Sequence, residues 1–292
     1  MKPAQFEYDD PTTADEALDL LARHGDECKV LAGGQSLVPL MNFRLARPGR
    51  IIDINGIEEL GGIRRDHGKL VIGAMTRHSQ VERSNEIAEQ WPLLHEAIGW
   101  VGHSQIRNRG TVGGSVAHAD PAAELPAAFA AMDATFLVRS KRGTRNLRWD
   151  QFFVSEFTTA LAPDELVVAV EVPAQDPAGG TAFVEYARRH GDFALGGAAV
   201  TLKIGPDGRC EGATIALLSA GPAPVRAESA EMKLRGAKLD EASIKAAADE
   251  AVKGLRPTSD LHGSTEYRVQ LLRTMTERAL TKAVQRAKRT SS

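Results

Sequence analysis

Cysteine is almost missing from this 292-residue chain: Cys28 and Cys210 are its two, far apart and outside any C-x-x-C pair. An iron–sulfur cluster carried by this chain alone is thereby excluded, because such clusters are held by sets of closely spaced thiolates. A disulfide is not expected either, since the rest of the sequence reads as cytoplasmic. Long apolar runs are also lacking. None approaches the roughly 18 residues of a membrane-spanning helix, and the opening Met1-Lys2-Pro3-Ala4-Gln5-Phe6-Glu7-Tyr8 has no signal-peptide core. No basic block interrupts a formal net charge of -2, so there is no electrostatic footprint for nucleic acid. Neither G-x-G-x-x-G nor G-x-x-x-x-G-K-[ST] occurs where a phosphate loop would need it, which excludes a Rossmann dinucleotide site and an ATP-hydrolysing P-loop. His78, His95, His103, His118 and His190 never fall into a metal-ligand spacing, and no G-x-S-x-G elbow surrounds Ser36 or Ser115. No catalytic acid, base, nucleophile or metal ligand is assigned.

What is present is ordinary globular composition, 42% hydrophobic and 25% charged, in a chain long enough for two or three packed units. Two glycine-rich segments stand out. The first is Ala32-Gly33-Gly34-Gln35-Ser36-Leu37, flanked by Leu31; the second is Arg109-Gly110-Thr111-Val112-Gly113-Gly114-Ser115. Adjacent glycines beside small hydroxyl residues let several backbone N–H groups turn toward one anion with no Cβ in the way. Together the segments suggest two loops closing on one pyrophosphate.

Periodicity predicts a capped amphipathic helix over 14–23, with strands over 29–31 and 50–54 around the first glycine segment. A strand over 69–74, helices over 79–84 and 92–101, a helix over 121–132 and strands over 135–140 and 166–172 follow. Gln175-Asp176-Pro177-Ala178-Gly179-Gly180 is a run of turn formers and is expected to be the main domain boundary. Beyond it come strands over 181–186, 198–204 and 211–218, with Pro206-Asp207-Gly208 turning between the last two, then helices over 227–234, 240–254 and 266–288. The last residues, 289–292, are expected to fray.

The residues also carry a family resemblance. The segment 31–39 with Asn42-Phe43-Arg44-Leu45-Ala46-Arg47-Pro48 and Ile52-Asp53-Ile54-Asn55, the stretch from Gln105 through Ser115 to Pro126, and the later Ala187-Arg188-Arg189-His190-Gly191-Asp192-Phe193-Ala194, Ser219-Ala220-Gly221-Pro222 and Ser264-Thr265-Glu266-Tyr267-Arg268 resemble the FAD-binding medium subunit of molybdenum hydroxylases. That family includes aerobic carbon monoxide dehydrogenase and xanthine dehydrogenase. The resemblance implies an α+β fold: a two-subdomain FAD-binding domain like that of vanillyl-alcohol oxidase over 1–176, divided near 55, and a small C-terminal domain of antiparallel sheet and helices over 177–292. It implies FAD on Leu31, Ala32, Gly33, Gly34, Gln35, Ser36 and Leu37 from one side and Thr111, Val112, Gly113, Gly114 and Ser115 from the other. Asp120 and Glu124 would lie near its ribose, ribitol or adenine, Leu166 behind the flavin, and Phe193 near the isoalloxazine face.

The implied setting is a cytoplasmic dimer of heterotrimers. A large partner subunit would hold molybdopterin and a small one two [2Fe-2S] clusters, and this chain would pass their electrons through FAD to an external acceptor. Two departures are visible: Ser115 replaces the family's usual asparagine, and Val184-Glu185 stand where many relatives have lysine. The competing reading is a self-sufficient FAD oxidoreductase on the same fold.

Overall fold

The computed structural model describes residues 1–290, with side chains through Ala287. The architecture is α+β, as expected. The first unit runs β1 (Glu7–Asp9), α1 (Ala14–His24), β2 (Cys28–Leu31), α2 (Leu37–Asn42) and β3 (Arg50–Asp53), with a parallel sheet in the order β1-β3-β2. Helix α1 begins at a capping box, in which Thr13 Oγ1 accepts from Glu16 N–H and the Glu16 carboxylate accepts from Thr13 N–H. Its buried stripe of Ala14, Ala17, Leu18 and Leu21 covers Cys28 and Ile52 of the sheet. Neither β1 nor α2 is expected from periodicity. Strand β1 has only three residues, none of them buried, and is held by backbone pairing to β3. Helix α2 has Pro39 in its first turn, where a missing N–H costs nothing.

The middle unit contains β4 (Ile63–Asp66), β5 (Lys69–Gly73), α3 (His78–Glu82), α4 (Asn85–Gln90), α5 (Pro92–Ile98), α6 (Ser104–Arg107), α7 (Val112–His118), α8 (Glu124–Ala131), β6 (Thr135–Ser140), β7 (Gly143–Arg148), α9 (Trp149–Phe152), β8 (Phe153–Ser155), β9 (Thr158–Thr159) and β10 (Leu166–Val172). Its antiparallel sheet runs β4-β5-β10-β6-β7, and β8 pairs with β9. Helix α8 starts at Glu124 rather than 121, because Asp120 Oδ1 accepts from Ala122 N–H at 2.9 Å and makes a turn ahead of it.

The last unit has β11 (Gly180–Tyr186), β12 (Gly196–Ile204), β13 (Cys210–Leu218) and β14 (Val225–Arg226) in an antiparallel sheet, then α10 (Glu228–Leu234), α11 (Glu241–Ala251) and α12 (Thr265–Thr290). Alternation in β11 divides two cores. Ala182 and Val184 face α10, α11 and α12, while Phe183 joins Ala199, Ala216 and Leu218 against α8 and the central core. The alanine-rich surface of α8 lets this sheet approach closely. Glu96 of α5 clamps the same joint, accepting from Phe183 N–H at 3.0 Å and from Arg286 of α12 at 2.7 Å. Helix α12 continues through Arg289 and Thr290, where fraying was expected; Ser291 and Ser292 lie outside the described residues. Among the described residues no helix is long and apolar enough to cross a membrane.

Candidate cofactor-binding site

Strand β2 ends at Leu31 and hands Ala32, Gly33, Gly34, Gln35 and Ser36 to a loop that enters α2 at Leu37. The second segment is not a loop throughout. Thr111 caps α7, its Oγ1 accepting from Gly114 N–H at 3.1 Å, so Val112, Gly113, Gly114 and Ser115 form the helix's first turn. The two segments touch. A Cβ on Gly33 would overlap the Arg109 carbonyl oxygen and lie 2.8 Å from Gly110 Cα, and one on Gly114 would lie 3.7 Å from Ala32 Cβ. Gly113 packs on β5's end, where a Cβ would lie 2.5 Å from Ala74 Cβ, and Gly34 has φ +72. Gly33 and Gly113 are thus required by the approach of chain to chain, and Gly34 by its backbone angle.

As donors the segments are unequal. Val112 N–H donates to Thr76 O, Gly113 N–H to Ala74 O, and Ser115 N–H to Thr111 O. With Gly114 bonded to Thr111 Oγ1, the amides from Val112 to Ser115 are used internally and only that of Thr111 lacks a partner among the described residues, unlike the expectation of two N–H walls. The reason is that helix formation and the contact with β5 consume them. The N–H groups of Gly33, Gly34, Gln35 and Ser36, in contrast, have no hydrogen-bond partner among the described residues. Four consecutive unpaired donors in one loop can serve an anion, and the loop touches a segment that still offers the hydroxyls of Thr111 and Ser115.

A side-chain bridge holds the two segments together. Asn55 Nδ2 donates to Ala32 O at 2.8 Å, Asn55 Oδ1 accepts from Arg77 Nη2 at 2.6 Å, and Arg77 Nη1 donates to Arg109 O. Asp53 anchors Asn55 and accepts from the Tyr8 hydroxyl at 2.7 Å. Burial works to raise the Asp53 pKa, but the bonds from Tyr8 and Asn55 outweigh it and hold the carboxyl below its ordinary value. The bond to Asp53 pushes Tyr8 up to about 12. Burial and the neighbouring Arg109 lower Arg77, whose charge with that of Arg109 makes this edge favourable for phosphate. Arg77 and His78 belong to this site and were not expected there, because nothing in their local spacing marks them.

Residues 4–175 match the family model described as the FAD binding domain in molybdopterin dehydrogenase, and residues 181–283 match that of the CO dehydrogenase flavoprotein C-terminal domain. The chain belongs to the FAD-binding family of molybdopterin dehydrogenases. It is 46% identical over 290 residues to the 6-hydroxypseudooxynicotine dehydrogenase complex subunit alpha of Paenarthrobacter nicotinovorans, covering 99% of this chain and 98% of that one. With the caffeine dehydrogenase subunit beta of Pseudomonas sp. strain CBB1 it shares 40% identity over 98% of this chain and 97% of the relative. Among solved structures it is similar to carbon monoxide dehydrogenase from Hydrogenophaga pseudoflava, with TM-score 0.96 and 39% identity, covering 98% of this chain and 99% of that one. These relatives are dehydrogenases, and this chain is an oxidoreductase subunit with FAD as its cofactor. The unpaired amides of the first segment suit such a pyrophosphate without any lysine.

Of the remaining residues expected at this flavoprotein's site, Asp120, Glu124 and Phe193 lie on segments joined through Ser219, and Leu166 lies apart in the core of the first unit. Asp120 and Glu124 flank the turn before α8, both buried. Burial pushes Glu124 up to about 7, with Asp120 adding to the effect. Ser219, in a left-handed conformation with φ 56, ties this turn to the connection between β11 and β12. Its N–H donates to Pro121 O at 2.8 Å and its hydroxyl to Ala194 O at 2.7 Å. Phe193, next to Ala194, is 63% exposed. Leu166 is buried at the start of β10 with Met75 and Ile54, behind the first unit rather than in the glycine segments. Glu185, at the position of the family's lysine region, is buried with both carboxyl oxygens lacking a hydrogen-bond partner among the described residues. Burial pushes it up to about 9, and Glu124 contributes in the same direction, so at neutral pH it is an uncharged acid.

Proposed function

We propose that this chain is the electron-transfer subunit of a heterotrimeric molybdenum hydroxylase, taking electrons from [2Fe-2S] clusters on a small partner subunit and passing them through FAD to an external acceptor. A large molybdopterin-binding partner would hydroxylate the substrate, and two trimers would pair. The observation that carries this reading is the run of unpaired amides from Gly33 to Ser36, set against the Thr111 and Ser115 hydroxyls in a chain so similar to named dehydrogenase subunits. FAD, when bound, supplies a centre that accepts electrons singly from iron–sulfur clusters and releases them singly or in pairs.

The chain's own part is to bind and orient. Gly33, Gly34, Gln35 and Ser36 would hold the pyrophosphate by backbone N–H, with Thr111 and Ser115 donating from the other side and Leu31, Leu37, Val112, Gly113 and Gly114 shaping the walls. Asp120 and Glu124 would accept hydrogen bonds from the sugar-like portion. Leu166 would back the ring and Phe193 would cover its face, keeping water from it. The proposed division is an FAD domain over 1–176, split near 55, and a C-terminal domain over 177–292.

Rapid-mixing spectroscopy on the complex stripped of FAD tests the assignment. Substrate is expected to reduce the iron–sulfur centres at an undiminished rate, while turnover with the acceptor stops. Clusters that no longer respond to substrate in an intact FAD-free complex would place the flavin earlier in the route. Continued turnover with the acceptor would remove it from the route.

A further inference from the structure

His78 opens α3 and is 3% exposed. One residue fastens the second glycine segment at three points. The His78 backbone N–H donates to Gly110 O at 3.0 Å, its Nε2 lies 2.9 Å from Thr111 O, and the same Nε2 lies 3.1 Å from Ser115 Oγ. A carbonyl oxygen only accepts, so Nε2 must carry the ring proton. Nδ1 then keeps its lone pair, and it has no hydrogen-bond partner among the described residues. It sits over Gly110, where a Cβ would lie 2.8 Å from it. Burial lowers the ring to about 4 against the pull of the Thr111 bond, with Arg107 and Arg77 adding to the depression, so the imidazole is neutral in ordinary buffers.

This tautomer has a consequence for Ser115. Its hydroxyl proton cannot go to Nε2, which is already protonated. It cannot bond back to Thr111 O either, because that oxygen already receives Ser115 N–H and His78 Nε2–H and both of its lone pairs are engaged. Among the described residues Ser115 Oγ has no other partner. We propose that His78 is a positioning residue whose Nε2–H tautomer turns the Ser115 hydroxyl outward, as a hydrogen-bond donor to the bound dinucleotide. The proposal rests on the FAD reading above. It assigns the second segment a side-chain donor beside the Thr111 hydroxyl, where the amides of Val112 to Ser115 are already bonded, at the position where the family's usual asparagine would offer an amide.

FAD titration of the full-length apo chain as wild type, Ser115→Ala, His78→Phe, His78→Gln and the Ser115→Ala/His78→Phe double variant tests it. Loss of one outward donor is expected to weaken FAD about tenfold in Ser115→Ala. His78→Phe is expected to weaken it at least as much, while His78→Gln, whose amide N–H can replace Nε2–H, retains most of the affinity. In the double variant the two losses are expected to overlap rather than multiply. Nitrogen-resolved NMR of the imidazole in the wild type, which needs no variant to fold, is expected to show a protonated Nε2 and a bare Nδ1 from about pH 5.5 to 8. An Nδ1–H tautomer, or losses that simply multiply, would overturn the proposal while leaving the FAD reading intact. A wild-type chain that takes up no FAD would overturn the FAD reading itself, and this proposal with it.

Discussion

Replacing Gly33 with alanine places one methyl group in the joint between the two glycine segments. Its Cβ would overlap the Arg109 carbonyl oxygen and lie 2.8 Å from Gly110 Cα, and both neighbours are backbone. Carbon atoms rest at about 3.5 Å or more, so the segments must part by about 0.7 Å or more, with no side chain able to swing aside. Overpacking of this kind costs about 1–3 kcal/mol. The movement also pulls on the bridge from Ala32 O through Asn55 and Arg77 to Arg109 O, the device that aligns the unpaired amides with the second segment. A loss of roughly 5- to 150-fold in FAD affinity is therefore expected, with a thermal midpoint lowered by a few degrees. Isothermal titration and thermal unfolding of the apo chain measure the two effects. Gly212→Ala on β13 is the control, since its Cβ would meet nothing within 4 Å and its φ is ordinary. It is expected to stay within about 0.5 kcal/mol of wild type. A Gly33→Ala protein with wild-type midpoint and wild-type FAD affinity would refute the contact between the segments.

Two further outcomes follow from the buried Glu185 and the exposed Phe193. Glu185 has its pKa raised in the fold to about 9 from an ordinary 4.5, so its contribution to stability is whole below 4.5 and is lost as pH rises toward 9. The loss runs at about 1.4 kcal/mol per pH unit, and Glu185→Gln is expected to flatten that slope and to unfold at higher urea than wild type near pH 8; identical slopes for the two proteins would contradict the burial of an uncharged acid. Phe193, being 63% exposed, is expected to be replaceable by alanine within about 0.5 kcal/mol of stability while altering the visible spectrum of bound flavin. A spectrum that does not change would place the ring elsewhere.

Strands β6 and β10 were legible to the residue, because Thr135–Ser140 alternates and Leu166–Val172 is an apolar, β-branched run ending at Pro173, even though a register shift between Val167 and Ala169 breaks its alternation. Helix α1 was legible from its stripe and its cap. Strand β1 was not, since three residues paired through backbone leave no periodic trace, and α2 was hidden by Pro39 and the lack of a side-chain cap. The same divide runs through the site. Local composition pointed to both glycine segments, yet it could not tell that Thr111 would cap a helix and that Thr76 and Ala74 would take up the amides of Val112 and Gly113. Arg77, His78 and Asn55 meet the segments only after folding brings together positions tens of residues apart, and no spacing rule encodes that. Glu185 was visible as a departure in charge, but the lack of a hydrogen-bond partner for its carboxyl among the described residues is a property of the packed joint between α8 and the C-terminal sheet.

The central claim is that the amides of Gly33, Gly34, Gln35 and Ser36 are held open for the pyrophosphate of FAD. Amide-resolved NMR of the full-length apo chain during FAD titration tests it most directly. The account predicts that these four N–H resonances shift and become protected from exchange as FAD binds, while those of Val112, Gly113 and Ser115, already bonded within the chain, keep their protection throughout. FAD binding that leaves the four amides unshifted and freely exchanging would contradict it.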